Sequence, residues 1–454
     1  MHQRIVSIIA QIRQDVATHL SPAAILTTCK AVGHVWRECV LDPVTTVHVL
    51  IIQVLHGNTA LKHLRHLTGL ALTAQAFCDA RIRLPLEVFR RLLQQLVPTL
   101  RDGQAPPSLW FGHRTFAVDG SSFSMPDTPE LQREFGQSGS QRKGCGFPVA
   151  HFLAMFDSAT GFLLEILASP LRTHDMSKVA QIHPGLRAGD VLVGDRGFCS
   201  FAHVGLLVQR GIHGVFRLHQ RLKLTVLEST EAESLDQTKL KRRKQRSTGL
   251  ARVLHRHGVY DQVLAWDRPK KKPEWMSEAD FRAIPPVLRC RVLSYDLRQP
   301  GYRTKKITLL TTLLDAEAYP WEELAALYGR RWQVEINFRH LKITMKMDVL
   351  RCMTVEGVLK ELMVFAIVYN LVRVVMVEAA RRQSVNVDRI SFIDALRWLV
   401  AARPRAVLVR LIVNPDRPGR VEPRVKKRRP KQYDLMMEPR SVLRNRMVGQ
   451  GVAA

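Results

Sequence analysis

The sequence predicts a mixed α/β core, preceded by an all-helical region and interrupted by a β-rich module. Three observations carry this. Helix-start signals crowd the first hundred residues, two apolar runs further on each end in a single acid, and strand-like stretches cluster between 219 and 315. A chain of 454 residues is also too long for one compact core. The expected division is a helical domain over 1–105, a first part of the core over 106–218, a β-rich insertion over 219–315, a second part of the core over 316–400 and a basic tail over 401–454.

In the helical region, Ser21-Pro22, Asp42-Pro43, Thr59, Thr73 and Leu84-Pro85 mark helix starts, since Pro suits the first helical position and Ser, Thr or Asp the position before it. His63 and His66, three apart in "LKHLRHL", are half of a metal site without partner ligands nearby and read better as a solvated or phosphate-contacting face. In the core, "RTFAVDG" (114–120) reads as a short strand ending at Asp119 and Gly120, and 149–169 as two strands joined by the turn "DSATG". "GDVLVGDRGFCS" is a buried strand ending at Asp195, followed by a helix capped by Ser200 and a strand over 212–218. The module contains "GVYDQVLAWDR", "VLRCRVLSYDL" and "KKITLLTTLL", with the charge run "KLKRRKQR" (239–246) as a loop or phosphate track. From Pro320 the pattern is helical again, and the tail around "RVKKRRPKQ" reads as extended.

Lys and Arg number 68 against 40 Asp and Glu, a net charge of +28 spread along the chain, so a polyanion is the expected partner. A membrane is not expected. The most apolar run (362–377) is broken by Asn370 and Arg373 and reads as a buried core helix, and the N-terminus lacks a cleavable signal pattern, so a cytoplasmic protein is predicted. Seven cysteines without a C-x2-C pair predict reduced thiols, neither a disulfide framework nor a zinc ribbon.

"YGRRWQVEINFRHLK" (328–342) places one acid, Glu335, among Arg331, Arg339 and Lys342. On a regular helix, Tyr328, Arg331, Glu335, Phe338 and Lys342 fall within an arc of roughly 80°. Such a stripe fits a polyanion running along the cations while the acid points elsewhere; the alternative is a plain amphipathic helix with Glu335 paired to Arg331 or Arg339. Asp119 and Asp195 end strands, where sites gather in α/β sheets, and with Glu335 they form a donor set suited to Mg²⁺, which takes oxygen ligands and supports in-line displacement at phosphorus. Asp127, Asp157, Asp175 and Asp190 compete, each with a good role as a turn or cap residue.

Tyr328, Arg331, Glu335 and Lys342 match the spacing Y-x2-R-x3-E-x6-K, with "AVDGSSF" around the first acid and "VLVGDRGF" around the second. On these motifs, residues 20–435 resemble bacterial insertion-sequence transposases of the insertion-sequence-four type. The resemblance implies a ribonuclease-H-like fold, with a β-rich insertion among the 139 residues between Asp195 and Glu335. It also implies an Asp-Asp-Glu triad of Asp119, Asp195 and Glu335 binding Mg²⁺, with Mn²⁺ as substitute, and phosphate contacts from Tyr328, Arg331 and Lys342, beside Arg339. The implied activity is cut-and-paste transposition by a homodimer in a synaptic complex, acting on double-stranded DNA at element ends and target. A metal-dependent nuclease on the same fold and an inactive sequence-specific DNA-binding protein are the alternatives. Two departures stand out. Gly197 and Phe198 follow "DR", and Ile307 stands near the place where some relatives stack a flipped base on tryptophan, which leaves Trp266 and Trp275 as candidate platforms or as core aromatics.

Overall fold

The computed structural model describes residues 3–103, 109–173, 175–218, 224–227, 249–297, 306–416 and 436–449; the charge run at 239–246 lies outside them. Proline and a polar cap open the early helices. Ser21 accepts from the Ala24 N–H at the head of Pro22–Ala31, Asp42 accepts from Thr45 N–H at the head of α1 (Pro43–Leu55), and Thr73 accepts from Ala76 N–H at the head of Ala74–Arg83. Helix α2 (Leu86–Asp102) follows Pro85. These helices share one hydrophobic core with the sheet and with the long helix described below.

The described strands form one sheet. They are β1 (Thr115–Ser124), β2 (Val149–Asp157), β3 (Leu163–Pro170), β4 (Val191–Gly194), β5 (His213–Arg217), β6 (Leu224–Leu227), β7 (Gly249–Gly258), β8 (Asp261–Asp267), β9 (Val287–Asp296) and β10 (Lys306–Thr311). Their order is β3-β2-β1-β4-β5-β10-β9-β8-β7-β6. Strands β1, β4 and β5 run parallel; on one side β2 pairs antiparallel with β1 and β3 antiparallel with β2, and on the other β10 pairs antiparallel with β5. β10 joins the strands of the β-rich segment to β5, so the sheet is continuous across both.

Alternation along the strands supplies a core on each face. Leu192, Phe216 and Leu310 point into the larger core, while Val191, Val193, Val215, Ile307 and Leu309 point into the smaller one. Helix α3 (Phe201–Gln209) packs into the larger core. Helix α4 (Trp321–Arg330) covers the smaller core through Leu324, Leu327 and Tyr328. Helix α5 (Gln333–Arg339) instead gives Val334 and Phe338 to the larger core.

Helix α6 (Val355–Gln383) is 29 residues long and apolar enough by length and composition to cross a membrane, but it is enclosed. Its polar interruptions explain why. Asn370 exchanges hydrogen bonds with Leu163 (2.9 and 2.8 Å), Tyr369 donates to Gly161 O (3.0 Å) and Arg373 donates to Thr160 O (2.8 Å), so the helix clasps the β2–β3 turn. Buried polar groups need such partners. Helix α7 (Phe392–Ala401) packs beside it.

Three of the four competing acids take structural work. Asp190 is buried in a bidentate pair with Arg101 of α2 (2.7 and 3.0 Å), which ties that helix to the start of β4. Asp157 accepts from Ala159 N–H, Thr160 N–H and the Thr160 hydroxyl (2.9, 2.8 and 2.9 Å) in the hairpin turn, and Asp127 accepts from Gln132 (2.7 Å).

Candidate active site

Asp119 is expected at a strand end, yet β1 continues to Ser124 because β2 pairs with it along its whole length. Its other neighbour stops sooner. The β1–β4 pairing ends at Val118↔Gly194 and the β4–β5 pairing at Gly194↔Phe216. Asp119, Asp195 and Arg217 are therefore the next residues beyond one aligned row, at the carboxyl ends of β4 and β5, the position where sites form in such sheets. Arg217 is the residue that sequence reasoning missed; the signal was a cation closing the apolar run "IHGVFRL" as Asp195 closes its own. Its charge reaches Tyr295 and Tyr328.

Asp195 is held from behind. Its Oδ1 accepts from Gly197 N–H at 2.7 Å, and a Cβ at Gly197 would stand 2.9 Å from that oxygen, so the glycine after "DR" fits a close approach. The next turn is fixed by His203 of α3, bonded through Nδ1 to Phe198 O (2.8 Å) and through Nε2 to His183 Nε2 (3.1 Å). Burial pushes these imidazoles down to about 4 for His203 and about 3 for His183, so both are neutral near pH 7.

The signature segment is not one regular helix, and the predicted stripe does not form. Between α4 and α5, bonds of the i→i−3 type (Arg331 to Tyr328 and Val334 to Arg331, 3.1 and 3.0 Å) tighten the backbone, and His340–Thr344 then widen into a π-turn. These departures from 3.6 residues per turn rotate the side chains away from a common face. Tyr328 is buried in one core and Phe338 in the other, because the chain passes between the two faces of the sheet around Arg331.

What gathers is more specific than a stripe. Arg331, only 7% exposed, donates to Asp119 Oδ2 at 2.7 Å instead of pairing with Glu335, and its guanidinium lies over the Tyr328 and Trp332 rings. Lys342 donates to the Ser121 hydroxyl at 3.2 Å. Glu335 and Arg339 are exposed. Burial pushes the Asp119 carboxyl up to about 6 against the pull of Arg331, and Asp195 and Glu335 add to the rise. Burial raises the Tyr328 hydroxyl and lowers the Lys342 ammonium, the latter opposed by Asp348 and Glu335.

Asp195 and Glu335 thus each repel the Asp119 carboxylate, and a divalent cation would relieve that repulsion. With Arg331 on Asp119, however, no group of three or more His, Cys, Asp or Glu among the described residues closes to metal-ligand spacing. The three carboxylates are the kind of oxygen donor such an ion takes, and the Arg331 Nε, buried without a partner, leaves the guanidinium incompletely satisfied where it stands.

The raised carboxyl has a thermodynamic consequence. The folded state holds the Asp119 proton between its ordinary value of 3.8 and about 6, so the stabilisation is full below that range and is lost as pH rises through about 6. Urea unfolding of wild type and Asp119→Asn from pH 4 to 7 should therefore show wild type losing roughly 2–3 kcal/mol relative to the variant. A pH-independent difference would mean that Asp119 ionises normally.

The two tryptophans separate. Trp266 is 1% exposed and meets Phe201 edge-on at 5.2 Å, so its face is closed to a nucleobase; it is a core aromatic of β8. Trp275 is only partly buried, although both tryptophans line the same cavity, with Lys271, Lys272 and Phe281.

Residues 110–371, more than half of the chain, match the family model of the transposase DDE domain, and the chain belongs to that family: it is a DNA transposase enzyme. More closely, it is a bacterial DDE transposase of the insertion-sequence-four type. Over 377 residues, 79% of this chain and 77% of the relative, it is 23% identical to the transposase InsG of insertion sequence element IS4 from Escherichia coli (strain K12). Among solved structures it is similar to piggyBac transposase in a synaptic complex with hairpin DNA, at TM-score 0.47 and 11% identity, covering 86% of this chain and 79% of that one. DDE transposases act with divalent metal ions.

Proposed function

We propose that this transposase works by cut-and-paste: it binds the terminal inverted repeats of its own element in the bacterial cytoplasm, cuts the DNA there and joins the freed ends to a target. The observation that carries the reading is the alignment of Asp119 and Asp195 beyond one row of the sheet, with Glu335 close enough to raise the Asp119 carboxyl. The five strands β3-β2-β1-β4-β5 are read as a ribonuclease-H-like core, β10 and the strands beyond it as its β-rich insertion, and the helices of residues 1–105 as the domain that reads the element ends.

Asp119, Asp195 and Glu335 would hold Mg²⁺, or Mn²⁺ in its place. The ion supplies charge neutralisation at the scissile phosphate and activates the attacking oxygen. For Asp119 to hold the ion Arg331 would have to release it, and the freed guanidinium would then be available to a phosphate, for which its planar fork is suited. Tyr328, Arg217, Arg339 and Lys342 complete a cationic and hydroxyl surface around the acids. Two protomers would bring two ends together in a synaptic complex.

The test is incubation of a duplex carrying the element border with Mg²⁺, Mn²⁺ or EDTA, followed by denaturing electrophoresis and a strand-transfer assay. Nicking and joining with either metal, and neither in EDTA, is the expected result; nicking without joining would make the chain a nuclease. Arg331→Ala and Lys342→Ala should each weaken border binding across sequences and lower the slope of log affinity against log salt by about one unit. A changed base preference with an unchanged slope would remove the residue from the phosphate set.

A further inference from the structure

To bind a phosphate, Lys342 must have its charge in the right place. Lysine has a flexible four-carbon stem and three equivalent donors, so an unrestrained ammonium spreads over many positions. Two carboxylates, Glu335 and Asp348, attract this one.

Strand β1 gathers the cations of the signature segment. Arg331 and Lys342 are eleven residues apart, about 16 Å along a helix, whereas the groups that receive them, Asp119 and Ser121, are two residues apart on one face of the strand, about 7 Å. The π-turn at His340–Thr344 carries the bond from Met345 N–H back to His340 O (2.9 Å), and the His340 ring stacks on Phe392 at 4.2 Å. The chain then docks on the end of β1 through Ser124 N–H to Asp348 O (3.0 Å) and Leu350 N–H to Ser124 O (2.9 Å). These ties fix where the Lys342 stem begins. They do not fix where its ammonium ends.

We propose that Ser121 is a positioning residue for Lys342: its hydroxyl accepts a hydrogen bond from the ammonium and holds the charge at β1 against the pull of Glu335 and Asp348, with two donors left for a phosphate. The phosphate half of this proposal rests on the function proposed above, and the contact does not. Restraining the stem before DNA arrives removes part of the ordering cost of binding.

Two measurements separate these halves. In EDTA and without DNA, acetylation of Lys342 by an N-hydroxysuccinimide ester is followed by peptide mass spectrometry in wild type, Ser121→Ala and Ser121→Thr, with exposed Lys346 as internal reference. Lys342 should react about three- to tenfold faster in the alanine variant and within about twofold of wild type in the threonine variant, which keeps the hydroxyl. An unchanged rate in Ser121→Ala overturns the contact, as does an equal rise at Lys346, which would report local unfolding. The second measurement is affinity for a 40-base-pair duplex of the element border, also in EDTA. Ser121→Ala should weaken binding about three- to tenfold in the wild-type background and leave Lys342→Met unchanged. Equal weakening in both backgrounds overturns the proposal, because Ser121 would then act independently of Lys342. If Lys342→Met itself binds like wild type, the phosphate role of Lys342 falls, and the acetylation result alone decides the contact.

Discussion

Asp119→Asn, Asp195→Asn and Glu335→Gln should each reduce nicking and joining by about a thousandfold or more while leaving binding of the border duplex near that of wild type. On the proposed function each substitution removes an anionic oxygen from a site whose cation would lower the barrier by several kcal/mol, and every 1.36 kcal/mol is tenfold in rate. Affinity is spread over many phosphate contacts across a chain of net charge +28 and does not depend on one acid. Asp119→Asn carries an added control. Its carboxyl lies largely buried against Arg331, at 16% exposure, and the amide can still accept from that guanidinium, so the variant should fold. Near-normal cleavage in any of the three variants would take that residue out of the site. Loss of binding together with loss of cleavage in all three would mean that the acids organise structure and not the reaction.

The second large effect belongs to Trp266. Trp266→Ala should destabilise the fold by about 3–5 kcal/mol, because a fully buried indole packed against Phe201 leaves a cavity that its surroundings fill only in part. Trp266→Phe should cost much less. The indole N–H is buried without an acceptor, so its removal leaves no newly unsatisfied group and relieves one that exists. Urea unfolding of the three proteins measures this. Full stability in Trp266→Ala, combined with slow hairpin closure on a precleaved end, would restore the stacking platform that the sequence suggested and the burial argues against.

Local chemistry made much of this protein legible in its sequence. A polar cap followed by proline opens a helix whatever it packs against, which is why Ser21-Pro22 and Asp42-Pro43 mark real helix starts. Apolar runs of four or five residues between polar ends are strands because both faces of a central parallel strand are buried, as in β4 and β5. The interrupted run at 362–377 is a core helix, since Asn370 and Arg373 have to meet buried partners, and the β2–β3 turn provides them. The spacing of Tyr328, Arg331, Glu335 and Lys342, together with "AVDGSSF" and "VLVGDRGF", was enough to point to the family.

Pairing and winding decided the rest, and neither is local. Asp119 lies inside a strand because β2 outruns β4 along β1, and only the register between strands distant in sequence places it level with Asp195 and Arg217. Uniform helical geometry predicted one stripe over residues 328–342. Tight bonds before Glu335 and a π-turn after it instead send Tyr328 and Phe338 to opposite faces of the sheet. The partners of Arg331 and Lys342 are therefore Asp119 and Ser121, more than two hundred residues away, and not a carboxylate one helical turn along. A sequence motif specifies which groups are available, whereas the burial that raises the Asp119 carboxyl and closes off Trp266 exists only once the sheet and its two cores have formed.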